Sequence, residues 1–286
     1  MTNILHLGHR GSIEYNFTTN FIWRDVFLLR AAEYQGHLII QSDPDDPTYI
    51  FPSGSGDVKP VIDALILDAH AKGIPLTFNV VLNEDIKRLE ALYPGQFIYT
   101  PNRNDFDYVY TSDSLITLAG RKLSSKRNHI NRFKRENEWE YGSLSGNPSL
   151  IKECKEMLDQ WMEINMADKD PSLVYDDVAT TLMLDNFEYL GLKGGVIRVR
   201  GKIVAFTIGE PLTRDTFVVH VEKAYTSIHG AYSIINQQFA EHETTGFTYI
   251  NREEDMGFEN LRNAKLSYQP DILLEKYNAR LKDRSR

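Results

Sequence analysis

Two stretches place side chains that could move protons or hold anions. Residues 216–222 read as a strand, and a period of two puts Val218, His220 and Glu222 on one face and Phe217, Val219 and Val221 on the other. His220 and Glu222 then become neighbours. An acceptor amine is mostly protonated near neutral pH, with a lysine-like pKa of about 10.4, and an acceptor hydroxyl must also lose a proton, so a base here would serve either. The plain alternative for Glu222 is a structural ion pair with Lys223 or a nearby arginine. Further on, Arg252-Glu-Glu-Asp255 follows a short strand and precedes a glycine turn. It therefore falls at the C-terminal end of a strand, where open α/β sheets tend to hold ligands. There Arg252 or Arg262 would bind phosphate or carboxylate while Asp255 orients an amine, unless Asp255 simply caps the following helix. In residues 259–267, Arg262 and Lys265 share a helical face that Tyr268 closes. Two cations and a phenol suit an oxyanion and a leaving group; a solvated face with a half-buried tyrosine is the bland reading.

A second concentration of charge lies upstream. Residues 121–135 hold seven Lys or Arg and no acid in a chain of net charge −8, so the remainder carries −15. This excludes a polyanion-binding surface all round and marks a local electrostatic site. On a helix, Arg121, Asn128, Arg132 and Arg135 form a narrow stripe opposite Leu123, Ile130 and Phe133. Lys126 and Lys134 fall in the apolar sector, where an ammonium must snorkel or meet an anion. With Arg127, these cations could grip nucleic-acid phosphates, a nucleotide coenzyme or an anionic membrane surface; an interdomain helix paired with the acidic remainder is the alternative. Gly54-Ser-Gly56 resembles a phosphate cradle, but a turn into a helix explains it as well, and the turn is the expectation. His6 and His9 have no carboxylate or cysteine at metal spacing, and no His-Glu-x-x-His or Cys-x-x-Cys occurs, so no metal is expected.

The elements that must position these residues alternate between strand and helix. A length of 286 residues suggests two domains, and 42% hydrophobic content supplies their cores. Residues 37–41 and 48–51 read as a hairpin, 58–72 as a helix with Asp57 as its N-cap, 75–82 as a buried strand and 84–93 as a helix. In the second half, 196–199 and 203–209 form a hairpin, 216–222 a third strand, 231–243 a helix and 247–251 a strand, followed by a helix at 259–267. The order repeats: Gly56 parallels Gly230, and Gly73 with Thr77-Phe-Asn79 parallels Gly246 with Tyr249-Ile-Asn251. Residues 107–110 read as a strand, a basic helix occupies about 118–137, and 138–143 and 148–164 open the second domain. The boundaries expected are 1–117, 118–137 and 138–286. Cys154 falls on the apolar face of its helix and is read as a packing residue. No run approaches the roughly 18 apolar residues of a membrane span, and no signal segment opens the chain, so a cytoplasmic protein is expected.

Three segments carry a family resemblance: Gly120-Arg-Lys-Leu-Ser-Ser-Lys-Arg-Asn-His-Ile-Asn-Arg-Phe133, Phe217-Val-Val-His-Val-Glu-Lys223, and Asn251-Arg-Glu-Glu-Asp-Met-Gly257 with Leu261-Arg-Asn-Ala-Lys-Leu-Ser-Tyr268. The chain resembles the C-terminal domain of bacterial phosphatidylglycerol lysyltransferases and a related soluble family. The resemblance implies an α/β fold of the α+β mixed-sheet kind: two tandem GNAT-like acyltransferase domains joined by the basic helix. It also implies acyl transfer, in the lysyltransferases from aminoacyl-tRNA to a lipid hydroxyl. In that frame Glu222, Asp255, Lys265, Tyr268 and His220 are the catalytic candidates, with Lys265 on the oxyanion and Tyr268 protonating the leaving group. Arg121, Lys126, Arg127, Arg132, Arg135, Gly230, Arg252 and Arg262 are the donor-binding candidates. The usual acetyl-coenzyme A loop, Gln/Arg-x-x-Gly-x-Gly/Ala, is missing, because Tyr225-Thr-Ser-Ile-His-Gly-Ala231 offers one glycine. The leading expectation is therefore transfer from aminoacyl-tRNA to an amine or hydroxyl of a lipid or small molecule, with no further cofactor and at most peripheral membrane contact. The alternatives are an acyl-CoA-dependent N-acyltransferase and a catalytically silent module that binds nucleic acid or an anionic surface.

Overall fold

A computed structural model describes residues 11–165 and 171–282; His6 and His9 lie outside them. The elements run α1 (Phe17–Trp23), β1 (Arg30–Tyr34), β2 (His37–Ser42), β3 (Thr48–Ile50), β4 (Ser53–Gly54), α2 (Lys59–Lys72), β5 (Thr77–Val81), α3 (Asn83–Leu92) and β6 (Phe97–Pro101). They continue as β7 (Asp107–Thr111), α4 (Ser112–Thr117), α5 (Ser124–Glu136), β8 (Trp139–Ser143), α6 (Pro148–Asn165), α7 (Pro171–Asp185), β9 (Lys193–Val199), β10 (Lys202–Pro211) and β11 (Thr216–Ala224). The last are α8 (Ala231–Glu243), β12 (Tyr249–Asn251), α9 (Glu259–Leu266), β13 (Ile272–Leu274) and β14 (Tyr277–Leu281). The fold is mixed α/β with two mixed sheets, as the residue pattern predicts. Among the described residues no helix is long and apolar enough to cross a membrane.

Each sheet is built round one parallel pair bridged by a helix. The first has the order β1-β2-β3-β5-β14-β6, with β4 on β2, and β3 runs parallel to β5 through α2. The second has the order β13-β7-β12-β11-β10-β9-β8, and β11 runs parallel to β12 through α8. The repeat seen in the sequence lands on one register: Asn79 pairs with Ile50 where β3 ends, and Asn251 pairs with Val218 at the last rung of β11 with β12.

The compact units divide the chain elsewhere than at residues 117 and 138. One holds the described residues up to Asp107, Glu254–Gly257 and those from Leu273 on; the other holds Tyr108–Glu253 and Phe258–Ile272. The reason is hydrogen bonding between distant segments. β14, from the far end of the chain, lies between β5 and β6 in the first sheet, and β7 lies beside β12 in the second. Sheet membership is set by which edges pair, and sequence distance does not limit it.

The basic helix is also an integral part of the second unit. Leu123, Ile130 and Phe133 share a core with Ile234, Ile235 and Phe239 of α8, and Phe133 is fully buried. Burying one such side chain contributes about 1.5–3 kcal/mol, which fixes α5 as a wall of the domain. It is shorter than expected, because Leu118 takes a left-handed φ of 49° and the chain turns before Ser124. Cys154 is buried on α6, as its helical face predicts.

Candidate active site

The parallel strands β11 and β12 pair over only three residues, Thr216–Val218 with Tyr249–Asn251. Beyond them β11 continues to Ala224, while the other chain leaves its strand at Arg252, so the two part and open a fork. A β-bulge sits at this point. Opposite β10, Val219 pairs with Gly209 and Val221 with Ile208, leaving His220 as the extra residue. One inserted residue reverses the alternation of side chains beyond it. Phe217 therefore packs edge-on against Phe239 of α8, Val219 faces the same helix, and Glu222 joins them, where strict alternation would turn it away. The expected adjacency of His220 and Glu222 fails for this reason.

Glu222 is held by two groups. Arg252 donates from Nε at 3.1 Å and from Nη2 to Glu222 Oε2, and Asn236 of α8 donates to Oε1 at 3.1 Å. The ion pair is nearly buried, with side-chain exposures of 12% for Arg252 and 13% for Glu222. The plain reading of Glu222 as half of an ion pair with Lys223 or a nearby arginine holds for the arginine, which is Arg252, whereas Lys223 pairs with Asp176. The guanidinium also lies 4.8 Å from the ring centre of Tyr268 and 5.6 Å from that of Tyr110. Its Nη1 is buried without a hydrogen-bond partner, as is Asn236 Oδ1.

Lys126 completes the group. Its ammonium lies 4.2 Å from the Tyr268 ring centre, so the lysine predicted to fall in the apolar sector meets an aromatic face; Lys134 does the same over Trp139 at 5.4 Å. Burial, with Arg252 close by, lowers the proton affinity of Lys126. Burial raises that of the Tyr268 phenol, which keeps its proton near neutral pH. Tyr268 is hydrogen-bonded with Ser233 and packs edge-on against Tyr110.

The other catalytic candidates stand apart from this group or serve it indirectly. His220 is 1% exposed, with Nδ1 2.7 Å from Glu253 and Nε2 3.0 Å from Glu210. Burial alone would lower its pKa, but the two carboxylates outweigh burial and push it up to about 10. A histidine protonated at neutral pH cannot act as the base. Lys265 is buried and gives its ammonium to the carbonyl of Arg252 at 2.6 Å, so it anchors the backbone where an oxyanion donor was expected. Asp255 belongs to the first unit, where it is fully buried, accepts from Arg103 at 3.2 Å and holds the Gly257 N–H. It does not cap α9, whose N-cap is Phe258.

The donor-binding candidates divide in the same way. Arg121 and Arg135 are exposed. Arg132, also exposed, pairs with Glu136 at 2.9 Å. Arg127 closes the turn before α5 by donating to the carbonyls of Leu118 and Gly120. Arg262 is half-buried on α9. Gly230 begins α8 with φ 82°, and a Cβ there would stand 2.6 Å from the carbonyl oxygen of His129. Its glycine is required by close contact with α5. Tyr110 and Asn236 were missed; a polar residue amid the apolar positions of α8 was the available signal for Asn236, and Tyr110 gave none.

A mixed sheet whose central parallel strands part in this way has a GNAT-like fold. A model of the family "Phosphatidylglycerol lysyltransferase, C-terminal" matches residues 6–280, and the chain belongs to that family. The crystal structure of a conserved protein of unknown function from Bacteroides thetaiotaomicron VPI-5482 is 41% identical, with a TM-score of 0.92 over 98% of this chain and 95% of that one. The structure of L-PGS from Bacillus licheniformis shares the fold at 19% identity, with a TM-score of 0.64 over 90% of this chain and 85% of that one. An uncharacterised protein of Mycoplasmoides gallisepticum is 22% identical over 206 residues, which are 68% of this chain and 61% of that protein, so the match spans about three fifths of its length.

Proposed function

We propose that this chain transfers an aminoacyl group from aminoacyl-tRNA to an amine or hydroxyl acceptor, with the chemistry at the fork between β11 and β12. The observation that carries the reading is the Glu222–Arg252 pair set between Asn236, Lys126 and Tyr268. A carboxylate already bound to a guanidinium is better at orienting an acceptor N–H or O–H, and collecting its proton as the new bond forms, than at free proton abstraction. The buried Arg252 Nη1 has a donor left for the carbonyl oxygen that becomes negative as the acceptor attacks. The ester bond to the ribose then breaks, and the ribose oxygen leaves as a hydroxyl with a proton from Tyr268, which Glu222 returns through solvent. The exposed Arg121, in the turn before α5, and Arg135, on α5, supply phosphate contacts for a large polyanionic donor. The packing of α5 against Gly230 favours such a donor over a coenzyme, because the space beside that glycine is filled by helix backbone.

The test compares ligands on one protein. Charged tRNA at about 100 times its dissociation constant should stabilise the fold by about 2.7 kcal/mol, read as a shift in melting temperature. Uncharged tRNA should give less, and acyl-CoA none. Changing Arg121, Arg132 and Arg135 together to Gln should reduce the salt dependence of tRNA binding by roughly one in slope for each phosphate no longer neutralised. A shift with acyl-CoA alone would reject the aminoacyl donor.

A further inference from the structure

We propose that His220 is the positioning residue of the site: it locks the turn that aims Arg252 at Glu222. The inference rests on the reading of the fork as the place of chemistry, and it concerns a residue that touches none of the groups assigned there.

Arg252 is followed at once by Glu253 with φ 58°, a left-handed conformation that costs a non-glycine residue about 1–3 kcal/mol unless its surroundings impose it. The surroundings here impose it from several directions. The Glu253 N–H donates to Asn251 Oδ1 at 2.7 Å, and its carbonyl accepts from Tyr108 N at 3.1 Å. On the other side of the turn, Arg252 N donates to the Tyr108 carbonyl at 2.9 Å, and the Arg252 carbonyl receives the Lys265 ammonium. The bonds with Tyr108 and Lys265 fix the backbone against β7 and α9, and the bond to Asn251 closes the turn on itself. None ties it to β11, the strand that carries Glu222.

That tie is made by a side chain. His220 lies two residues before Glu222 on the same strand; alternation with Val219 turns it away from α8, and its ring meets Glu253. One ring nitrogen meets Glu253 and the other meets Glu210 of β10, so the imidazole links the turn to the sheet at a fixed separation. Isolated ion pairs with this degree of burial are seldom net stabilisers, because desolvation offsets their attraction. A positional role accounts for burying one at the fork. The groups facing His220 are Glu210 from β10 and Glu253 from the turn, and the imidazolium between them keeps two nearby carboxylates from repelling.

The experiment uses the full chain and has one readout that needs no substrate. In the wild type, the buried Arg252 side chain paired with Glu222 should give a slowly exchanging Nε–H signal by NMR. His220→Gln should lose or broaden that signal and lower kcat by about 100-fold, the scale of a displacement near 1 Å, with the KM for charged tRNA unchanged. Glu253→Gln removes the same link from the other end and should do the same; it also serves if His220→Gln does not fold. The double variant should be no worse than either single one, since both break a single connection. Glu210→Gln should lower the melting temperature and leave the Arg252 signal in place. A protected Arg252 signal in folded His220→Gln, or additive losses in the double variant, would overturn the proposal. If the wild type transfers no aminoacyl group, the functional reading fails, and the Arg252 signal still decides whether His220 positions it.

Discussion

The two sheets share a skeleton and differ in what occupies the place where their parallel strands end. In the first, Phe51 follows β3 and packs against Phe78 of β5 with ring centres 5.6 Å apart, and both are buried. A neutral link runs there from Asn79 Nδ2 to Thr48 Oγ1 at 2.7 Å. In the second, Glu222, Arg252 and His220 occupy the fork, with Tyr110 and Tyr268 as walls. An apolar filling joins the core and leaves no group to react. A charged filling must be desolvated and held at a free-energy cost, which makes charged groups set in a cleft candidates for chemistry. The repeat thus supplies two frames, and the proposed chemistry belongs to one of them.

The largest effect that would sharpen this contrast is expected from Glu222→Gln. Glutamine keeps one acceptor oxygen for Arg252 and turns its NH2 group toward Asn236, so the fold should survive with a lower melting temperature because the Arg252 charge is left unbalanced, and the acceptor loses its carboxylate. Acyl transfer should fall by about 100- to 10,000-fold in single-turnover measurements, with donor affinity nearly intact. A normal rate with a normal melting temperature would remove Glu222 from the mechanism and erase the difference between the forks.

Next in size is the response to pH. Because His220 is raised from the ordinary 6.5 to about 10, folding takes up a proton there. Its contribution to stability is complete below about pH 6.5 and is lost as pH rises through about 10. The melting temperature of the wild type should therefore decline across that window more steeply than that of His220→Gln. Parallel pH curves for the two proteins would show that the second fork holds no such charge.

The smallest effect tests the first fork. Asn79→Ala removes one neutral hydrogen bond, so stability should drop by about 1 kcal/mol, measured by denaturant titration, with no change in the rate of transfer. A rate loss on the scale expected for Glu222→Gln would place chemistry in both forks and break the comparison.

Much of this architecture was legible in local pattern. The apolar spacing of residues 231–243 marked α8 to its ends, and the parallel placing of Asn79 and Asn251 disclosed the repeat that the register of both sheets then shows. The clustering of Glu222, Arg252, Lys126 and Tyr268 was legible only as separate candidates on separate elements. Lys126 could be assigned an apolar sector, for example, but the ring that receives it lies far along the chain.

The sequence by itself determined the periodicities, hence which segments are strands or helices, where α5 is basic, and which side of it is apolar. Those are short-range properties, set by side-chain spacing of two or 3.6 residues. Tertiary structure alone decided which strands share a sheet, so that β14 joins the first and β7 the second. It also decided the bulge at His220, because an inserted residue is defined only against the partner strand it fails to match. That single mismatch turns Glu222 toward Asn236, and a period of two cannot reveal it.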